Sequence, residues 1–286
     1  MSVLRGLRGN RSCQVLIADV RVKGEYAMRM GKFVWLSVIV SVVCLVISGT
    51  AMAGAKPFTK FPGYAYVDLS PYAITPLQST NAWLIEPGMP GNDLRNLPTG
   101  ENEFKGPEGT VPFYVIEPKD IEKDPVCVMG RGLNGGGPTF PLETIMDVNA
   151  KCKKIYFLHA TGWESPGIEG YYKFVMTYDD GKTEELLMTT HVNSDDWWHV
   201  GSVLPDKNSV WGWQGGNPNH TPVGLICTMW DNPKPNEGIK TITLISQGNQ
   251  GTVPGVLGIT LGGTGMAVEP QDKEVETWGK IKSKYK

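Results

Sequence analysis

Short runs rich in β-branched and aromatic residues, bounded by Gly, Pro and Asp, follow one another along the second half of the chain. Such runs between turn residues are typical of strands, and no stretch outside the charged tail shows convincing helical periodicity. About ten short strands predict an all-β domain, a two-sheet antiparallel β-sandwich of the jelly-roll type. The clearest runs are residues 112–117, 126–129, 143–148, 154–159, 223–230, 239–246 and 256–261.

The most distinctive pair of runs flanks the dipeptide Asp180-Gly181. Asp-Gly between two β-rich runs is a strong hairpin signal, because the tight turn needs a positive φ. In the first run Phe174 and Met176 fall on one face, whereas Lys173 falls on the other. We therefore predict a hairpin with its tip at Asp180 and Gly181, whose first strand covers a core on one side.

Residues 33–48 form an uncharged apolar run of 16 residues, preceded by Arg29 and Lys32 and followed by Ala51-Met52-Ala53. A basic start, a short apolar run and small residues at its end are the parts of a secretion signal. The pattern predicts cleavage after Ala53 and a secreted, periplasmic or cell-surface protein with no integral membrane span after cleavage. An uncleaved anchor is the alternative, although a membrane helix needs about 20 apolar residues.

Three segments are thus predicted. Residues 1–53 are an N-terminal extension and signal, residues 54–270 are the β-sandwich domain, and residues 271–286 are a charged tail. The chain contains 35 Gly and 21 Pro, a turn-rich composition that suits many short strands.

The charge of the processed chain bears on its partners. Removal of residues 1–53 leaves 20 basic and 27 acidic residues, a net charge of −7. Nucleic acids and anionic lipids bind surfaces with clustered Lys and Arg. The sequence shows no such cluster apart from the last few residues, so neither is expected as a partner.

Three cysteines, Cys127, Cys152 and Cys227, remain after cleavage. Because three is an odd number, at most one disulfide bond can form among them. One bridge in an oxidising compartment and buried free thiols are both open at this point.

Residues 130–135 read GRGLNG, which matches the dinucleotide-binding pattern. That function needs a helix that starts at the third glycine, so that its amides face the pyrophosphate. Gly136-Gly137-Pro138 follows instead. The motif is therefore predicted to be a loop, and no cofactor is expected.

The four histidines are far apart in the sequence, and none has the spacing that zinc sites commonly use. No metal site is predicted from them. His159 ends an apolar run and is expected to be a hydrogen-bonded histidine of the core or its rim. The other three are His191, His199 and His220.

Carboxylate pairs that could hydrolyse a glycosidic bond must face each other across a sugar. Glu184 and Glu185 are neighbours on a predicted strand and point to opposite faces. Asp195 and Asp196 precede two tryptophans and could lie in a cleft, or one of them could cap the following turn. No catalytic residue is predicted.

Aromatic and amide residues are concentrated around one short stretch. Flat rings beside amide and carboxylate groups suit a sugar, which has an apolar face and polar edges. One tryptophan of the pair Trp197 and Trp198 is expected in the core. The predicted ligand-binding residues are Trp211, Trp213, Gln214, Asn217 and Asp195, with both tryptophans exposed.

A series of short motifs resembles the galactose-binding-like β-sandwich module, an accessory domain of exported bacterial glycoside hydrolases. The resemblance spans roughly residues 60–264, nearly the whole processed chain. It implies a jelly-roll sandwich that binds glycans or packs beside a catalytic domain, and it supplies no ligand residues. In chain order the motifs are Tyr66-Val67-Asp68-Leu69, Val111-Pro112-Phe113, Ile155-Tyr156-Phe157-Leu158-His159, Tyr178-Asp179-Asp180-Gly181, Asp196-Trp197-Trp198 and Trp230-Asp231-Asn232-Pro233-Lys234-Pro235.

The sequence thus favours an exported, non-catalytic, carbohydrate-binding module. The alternatives are a structural or interaction protein of the cell envelope and, third, an exported glycoside hydrolase. The expected partner is a glycan or another component of the envelope.

Overall fold

A computed structural model of the chain describes residues 54–78, 93–134, 137–164, 167–220 and 222–264. The chain divides into two units, Met1–Met52 and Ala53–Lys286. The predicted secretion signal, its cleavage motif and the charged tail lie outside the described residues. Within the described ranges, no helix has the length and apolarity needed to cross a bilayer.

Strands dominate the described part of the chain, which contains no α-helix and one short 3-10 helix, Gly137–Thr139. The prediction of an all-β domain is therefore confirmed. The strands are β1 (Ala55–Pro57), β2 (Tyr64–Val67), β3 (Gly100–Gly106), β4 (Gly109–Val115), β5 (Val128–Met129), β6 (Glu143–Ala150), β7 (Lys154–Gly162), β8 (Tyr172–Tyr178), β9 (Thr183–Met188), β10 (Ser209–Gly215), β11 (Val223–Asp231), β12 (Ile239–Ser246) and β13 (Val253–Gly262).

The strands form two sheets and a separate hairpin. The larger sheet has the order β1-β2-β13-β7-β11-β10, with β5 also paired to β13, and the smaller has the order β6-β12-β8-β9. β3 and β4 pair only with each other. Every pairing between these strands is antiparallel, so the predicted antiparallel β-sandwich is confirmed.

One core fills the space between the two sheets. In β8 every second residue is buried, including Phe174 and Met176, and these side chains face the larger sheet. The sequence predicts the same buried face for this strand. The ring of Phe174 stacks on that of Phe157 from β7, with 4.1 Å between centroids. Alternation along a strand is the pattern of a sheet that is covered on one face.

A second core lies on the opposite face of the larger sheet. Leu158, Leu225 and Leu257 from its central strands pack there with Phe104 and Phe113 of the β3–β4 hairpin. β11 and β13 are therefore covered on both faces and are buried along almost their whole length. The sandwich has a third layer, which the sequence analysis did not predict.

The β8–β9 hairpin has the predicted tip. Pairing continues to Thr177 opposite Thr183, and Gly181 has a φ of 79°. The amide of Gly181 donates to the carbonyl of Tyr178, and the Asp180 side chain accepts from the amide of Lys182. A positive φ is what makes glycine favourable at this position.

Cys127, Cys152 and Cys227 are all buried, and no disulfide bond joins them. Burial raises the pKa of Cys152 to about 12, so its thiol stays protonated at neutral pH. Of the two alternatives for these cysteines, the structure contains buried thiols.

The described part of the GRGLNG motif, residues 130–134, is a loop, as predicted. A Cβ atom on Gly132 would lie 2.2 Å from the carbonyl oxygen of Thr252. Glycine at this position therefore permits two backbone segments to approach closely, which is a structural role.

Candidate functional site

A loop segment lies between the ends of two central strands. β7 and β11 pair directly only as far as His159 opposite Ile226. Beyond that point the Trp197 amide donates to the Thr161 carbonyl, and the Gly224 amide donates to the Trp197 carbonyl. The segment that carries Asp195 is thus held by the main chain at this end of the larger sheet.

Two residues at this end have an unusual backbone conformation. Trp163 follows β7 with a φ of 52°, and His191 has a φ of 60°. A positive φ costs a non-glycine residue on the order of 1 kcal/mol or more, and such conformations concentrate at functional sites. The turn at Trp163 is followed at once by Glu164.

Four side chains meet beside this loop, and we call Glu164, His191, Asp195 and His199 the His–carboxylate cluster. Asp195 is its centre, with a side chain that is fully buried. Its Oδ2 lies 3.3 Å from Nδ1 of His191, and its Oδ1 lies 3.3 Å from Nδ1 of His199. Ser202 Oγ donates a hydrogen bond to Oδ2.

Glu164 contacts the same two imidazoles. Its Oε1 lies 3.5 Å from Nε2 of His191, and its Oε2 lies 3.3 Å from Nδ1 of His199. These are ion-pair distances, and Oε2 is buried without a hydrogen bond of good geometry. Each carboxylate is therefore shared between two rings, which lie nearly parallel to one another.

The electrostatics of the cluster separate its two carboxyl groups. Burial and the adjacent Asp195 carboxyl raise the pKa of Glu164. Burial by itself would raise the pKa of Asp195, but hydrogen bonds from Ser202, Glu164 and the Asp196 amide lower it overall. Burial by itself would lower the pKa of His199, but the nearby carboxyl groups of Glu164 and Asp196 raise it overall. The cluster therefore attracts positive charge, whether as protons or as a cation.

The cluster has the donor types of a metal site. One ligand atom each from Glu164, His191 and Asp195 lie within 4.8 Å of one another. The side chains of His191 and His199 are 46% and 49% exposed, so the cluster is reached from solvent.

Tryptophans surround the same end of the larger sheet. Trp163, Trp198 and Trp213 are partly buried and pack on the core shared with the β3–β4 hairpin. The ring of Trp198 stacks on that of His220, with 4.9 Å between centroids and an angle of 20°. Trp213 covers Gly215, where a Cβ would lie 2.4 Å from its ring.

The predicted sugar site is only partly exposed. Trp211 is 8% exposed, and its indole N–H donates to the Ser202 carbonyl, so the expectation that this ring is exposed is wrong. Asn217 is 9% exposed, and its side-chain oxygen accepts from the His220 amide. Trp213 is half-buried and Gln214 is exposed.

A β-bulge explains the difference between the two tryptophans. The register shifts so that Trp211 is opposite Ile226 and Trp213 is opposite Leu225. Neighbouring residues of a strand point to opposite faces, so the bulge places the two rings on opposite faces of the sheet. They cannot form one shared platform.

Two other expectations from this stretch are confirmed. Trp197 is buried in the core. Asp196 caps the following turn, since its Oδ1 accepts from the Trp198 amide at 3.1 Å.

Glu164, His191 and His199 are not predicted from the sequence as members of one cluster. Glu164 is distant from the other three residues in the sequence. It reaches them only because the chain leaves the end of β7 at this place. The available signal was the even spacing of His191, Asp195 and His199, each four residues from the next.

No protein-family model matches the chain, and no curated protein matches it in sequence. The galactose-binding-like resemblance stays a prediction from the ordered motifs. Function is therefore inferred from the geometry of this end of the sheet.

Proposed function

We propose that the chain is an exported, non-catalytic, carbohydrate-binding module. One observation carries the proposal: Trp163, Trp198 and Trp213 are partly exposed at one end of the larger sheet, on the face of the β3–β4 hairpin. The resemblance to the galactose-binding-like module is consistent with this placement.

The chemistry of that end suits a sugar. Indole rings supply flat apolar faces for the C–H side of a pyranose. Gln214 and the partly exposed His220 supply polar groups for hydroxyls at the edge of the ring. The site therefore combines the two kinds of contact that a glycan needs.

A binding role is favoured over hydrolysis by the placement of the carboxylates. A glycosidase needs two carboxyl groups that both reach the scissile bond. Glu164 and Asp195 are close to each other, but the Asp195 side chain has no exposed surface. It cannot contact a sugar at the surface while it stays in this position.

The test replaces one exposed ring and one matched ring elsewhere. Trp213→Ala should weaken retention on a polysaccharide about tenfold or more, since a stacking ring carries much of a weak binding energy. Trp230→Ala is the control, because Trp230 is also partly buried but lies at the other end of β11 against the other core. Pull-down and glycan-array binding measure retention, and circular dichroism checks that each variant folds.

The proposal is wrong if the wild-type chain retains no glycan at about millimolar concentration, where weak modules still bind. It is also wrong if Trp213→Ala and Trp230→Ala bind a glycan as tightly as the wild type does.

A second candidate function is an interaction role in the cell envelope. It is favoured by a groove on the smaller sheet, which Leu187 of β9 and Ile245 of β12 line together. Grouped apolar side chains at a surface are typical of contact sites. Leu187→Ser should then release the protein from isolated envelopes while Trp213→Ala does not, and the reverse result supports glycan binding.

A further inference from the structure

The carboxylates of the His–carboxylate cluster face imidazole rings rather than Lys or Arg side chains. Among the described residues, neither Glu164 nor Asp195 forms an ion pair with Lys or Arg. Both instead face His191 and His199, and Oε2 of Glu164 is a buried atom whose 3.3 Å contact with Nδ1 of His199 does not have the geometry of a hydrogen bond. A buried, unsatisfied carboxylate oxygen is costly and favours a positive partner.

Each contact in the cluster has a length that two ligands of one ion also have. Oxygen and nitrogen atoms of these side chains lie 3.3 to 3.5 Å apart. A strong N–H···O bond is shorter, about 2.9 Å. Two ligands that each lie about 2.1 Å from a tetrahedral ion are separated by about 3.4 Å. Each nitrogen–oxygen pair is thus spaced like two neighbouring ligands. His191 faces Glu164 with Nε2 and Asp195 with Nδ1, and it can offer only one of these nitrogens to an ion.

We propose that the His–carboxylate cluster binds one divalent transition-metal ion of the Zn²⁺ type. Glu164, His191 and Asp195 each supply a ligand atom, and these atoms already lie within 4.8 Å of one another. His199 lies outside this group of three, but its Nδ1 is 3.3 Å from an oxygen of each carboxylate, so a rotation of its half-exposed side chain would add it as a fourth ligand. This inference does not depend on glycan binding.

The donor set favours such an ion over Ca²⁺ or Mg²⁺. Imidazole nitrogen suits Zn²⁺, Ni²⁺ and Cu²⁺, whereas the hard cations take oxygen ligands. Ser202 donates to Asp195 and would act as an outer partner that orients this ligand. The half-exposed histidines leave a path for the ion from solvent.

The main test is Zn²⁺ titration of the full chain, purified without a polyhistidine tag and stripped with a chelator. Isothermal titration should show one equivalent of Zn²⁺ per chain. His191→Ala and His199→Ala should each weaken binding at least about tenfold, because each removes a ligand. His220→Ala is the matched control, since this histidine lies outside the cluster and stacks on Trp198, and its affinity should equal that of the wild type.

A loss of Zn²⁺ affinity in a variant has to be separated from a loss of folding. His191 and His199 are half-exposed, but each pairs with the buried Asp195. The melting temperature of each metal-free variant is therefore measured first, and Zn²⁺ affinities are compared at a temperature where all variants are folded. Asp195→Asn is a weaker test, because Asp195 is buried and holds the Ser202 hydroxyl and the Asp196 amide. Zn²⁺ should raise the melting temperature of the wild type and of His220→Ala but not that of the His191→Ala, His199→Ala double variant.

Co²⁺ substitution identifies the ligands independently. Bound Co²⁺ should give visible absorption without a sulfur-to-metal charge-transfer band, since Cys127, Cys152 and Cys227 are no part of the cluster. Three results would each overturn the proposal: no Zn²⁺ binding up to about 0.1 mM, a sulfur band, or unchanged affinity in the double variant. Displacement of Zn²⁺ by equimolar Ca²⁺ would overturn the assignment to a transition metal.

Discussion

At the scale of single residues, His159 shows how the core fixes a protonation state. Its Nε2 lies 2.8 Å from the Thr228 hydroxyl and its Nδ1 lies 2.8 Å from the Tyr172 hydroxyl. Complete burial lowers the pKa of His159 to about 3, so the ring is neutral at pH 7. The sequence analysis predicted a hydrogen-bonded histidine here, and that prediction is confirmed.

This pKa makes stability depend on pH. In the unfolded chain a histidine titrates near pH 6.5. Between about pH 6.5 and pH 3 the unfolded state binds a proton that the folded state does not, so the free energy of unfolding falls as pH falls. The titration of His159 lowers the free energy of unfolding by about 1.4 kcal/mol for each pH unit within that window, and above pH 6.5 it has no effect.

His159→Gln should remove that contribution and leave those of the carboxylates in place. We expect the urea-derived free energy of unfolding to fall less steeply between pH 6.5 and 4.5 in the variant than in the wild type. The variant should be less stable at pH 7.5, where it lacks the bond to Tyr172. Equal slopes in the two proteins would show that His159 is not the group responsible.

At the scale of elements, the β8–β9 hairpin depends on the backbone conformation of one turn residue. Gly181 has a φ of 79° and open space around it, so the strain of a side chain there is conformational rather than steric crowding. Gly181→Val should lower the free energy of unfolding by about 1 kcal/mol or more, because a β-branched residue resists positive φ. The urea midpoint measures the effect.

Thr183→Val provides the control for that substitution. It introduces the same side chain two residues later, at an exposed position on β9. We expect its stability to stay within about 0.5 kcal/mol of the wild type. If both variants shift the midpoint equally, the cost comes from valine on this hairpin and not from the turn.

The elements also show what the sequence could and could not predict. The alternation of buried and exposed residues in β8 and the Asp180-Gly181 turn depend only on neighbouring residues, so the sequence predicts both. The bulge between Trp211 and Trp213 is not predicted, because it depends on which residues β11 places opposite them. The cluster around Asp195 was missed for a similar reason, since Glu164 reaches it only through the end of β7.

At the scale of the whole molecule, the larger sheet is the centre of three layers. The sequence predicts its central strands as short apolar runs. These strands are apolar along their length because both of their faces are buried. The covering β3–β4 hairpin was harder to predict, because its residues 100–106 are mostly polar. Phe104 of β3 and the apolar residues Val111, Phe113 and Val115 of β4 supply the buried side chains that pack on the sheet.

This arrangement predicts one cooperative unit. Phe113 of the hairpin is fully buried and packs edge-to-face on Phe104, while Phe174 fills the core between the two sheets. Phe113→Ala and Phe174→Ala should each lower the free energy of unfolding by about 3 to 5 kcal/mol, the usual cost of removing a buried ring. Leu133→Ala, at a position that is 57% exposed, should change it by less than about 0.5 kcal/mol.

Cooperativity itself is measured by comparing two probes of urea unfolding. Tryptophan fluorescence follows the surroundings of individual indole rings, among them the buried Trp197, and far-ultraviolet circular dichroism follows all strands. If the three layers unfold together, both probes should give one coincident transition in the wild type, and each phenylalanine variant should shift that whole transition. A hairpin that folds separately would instead give two transitions, with Phe113→Ala moving the first and leaving the Phe174 core in place. A single shifted transition in both variants is expected, because β7 and β13 each contribute buried side chains to both cores.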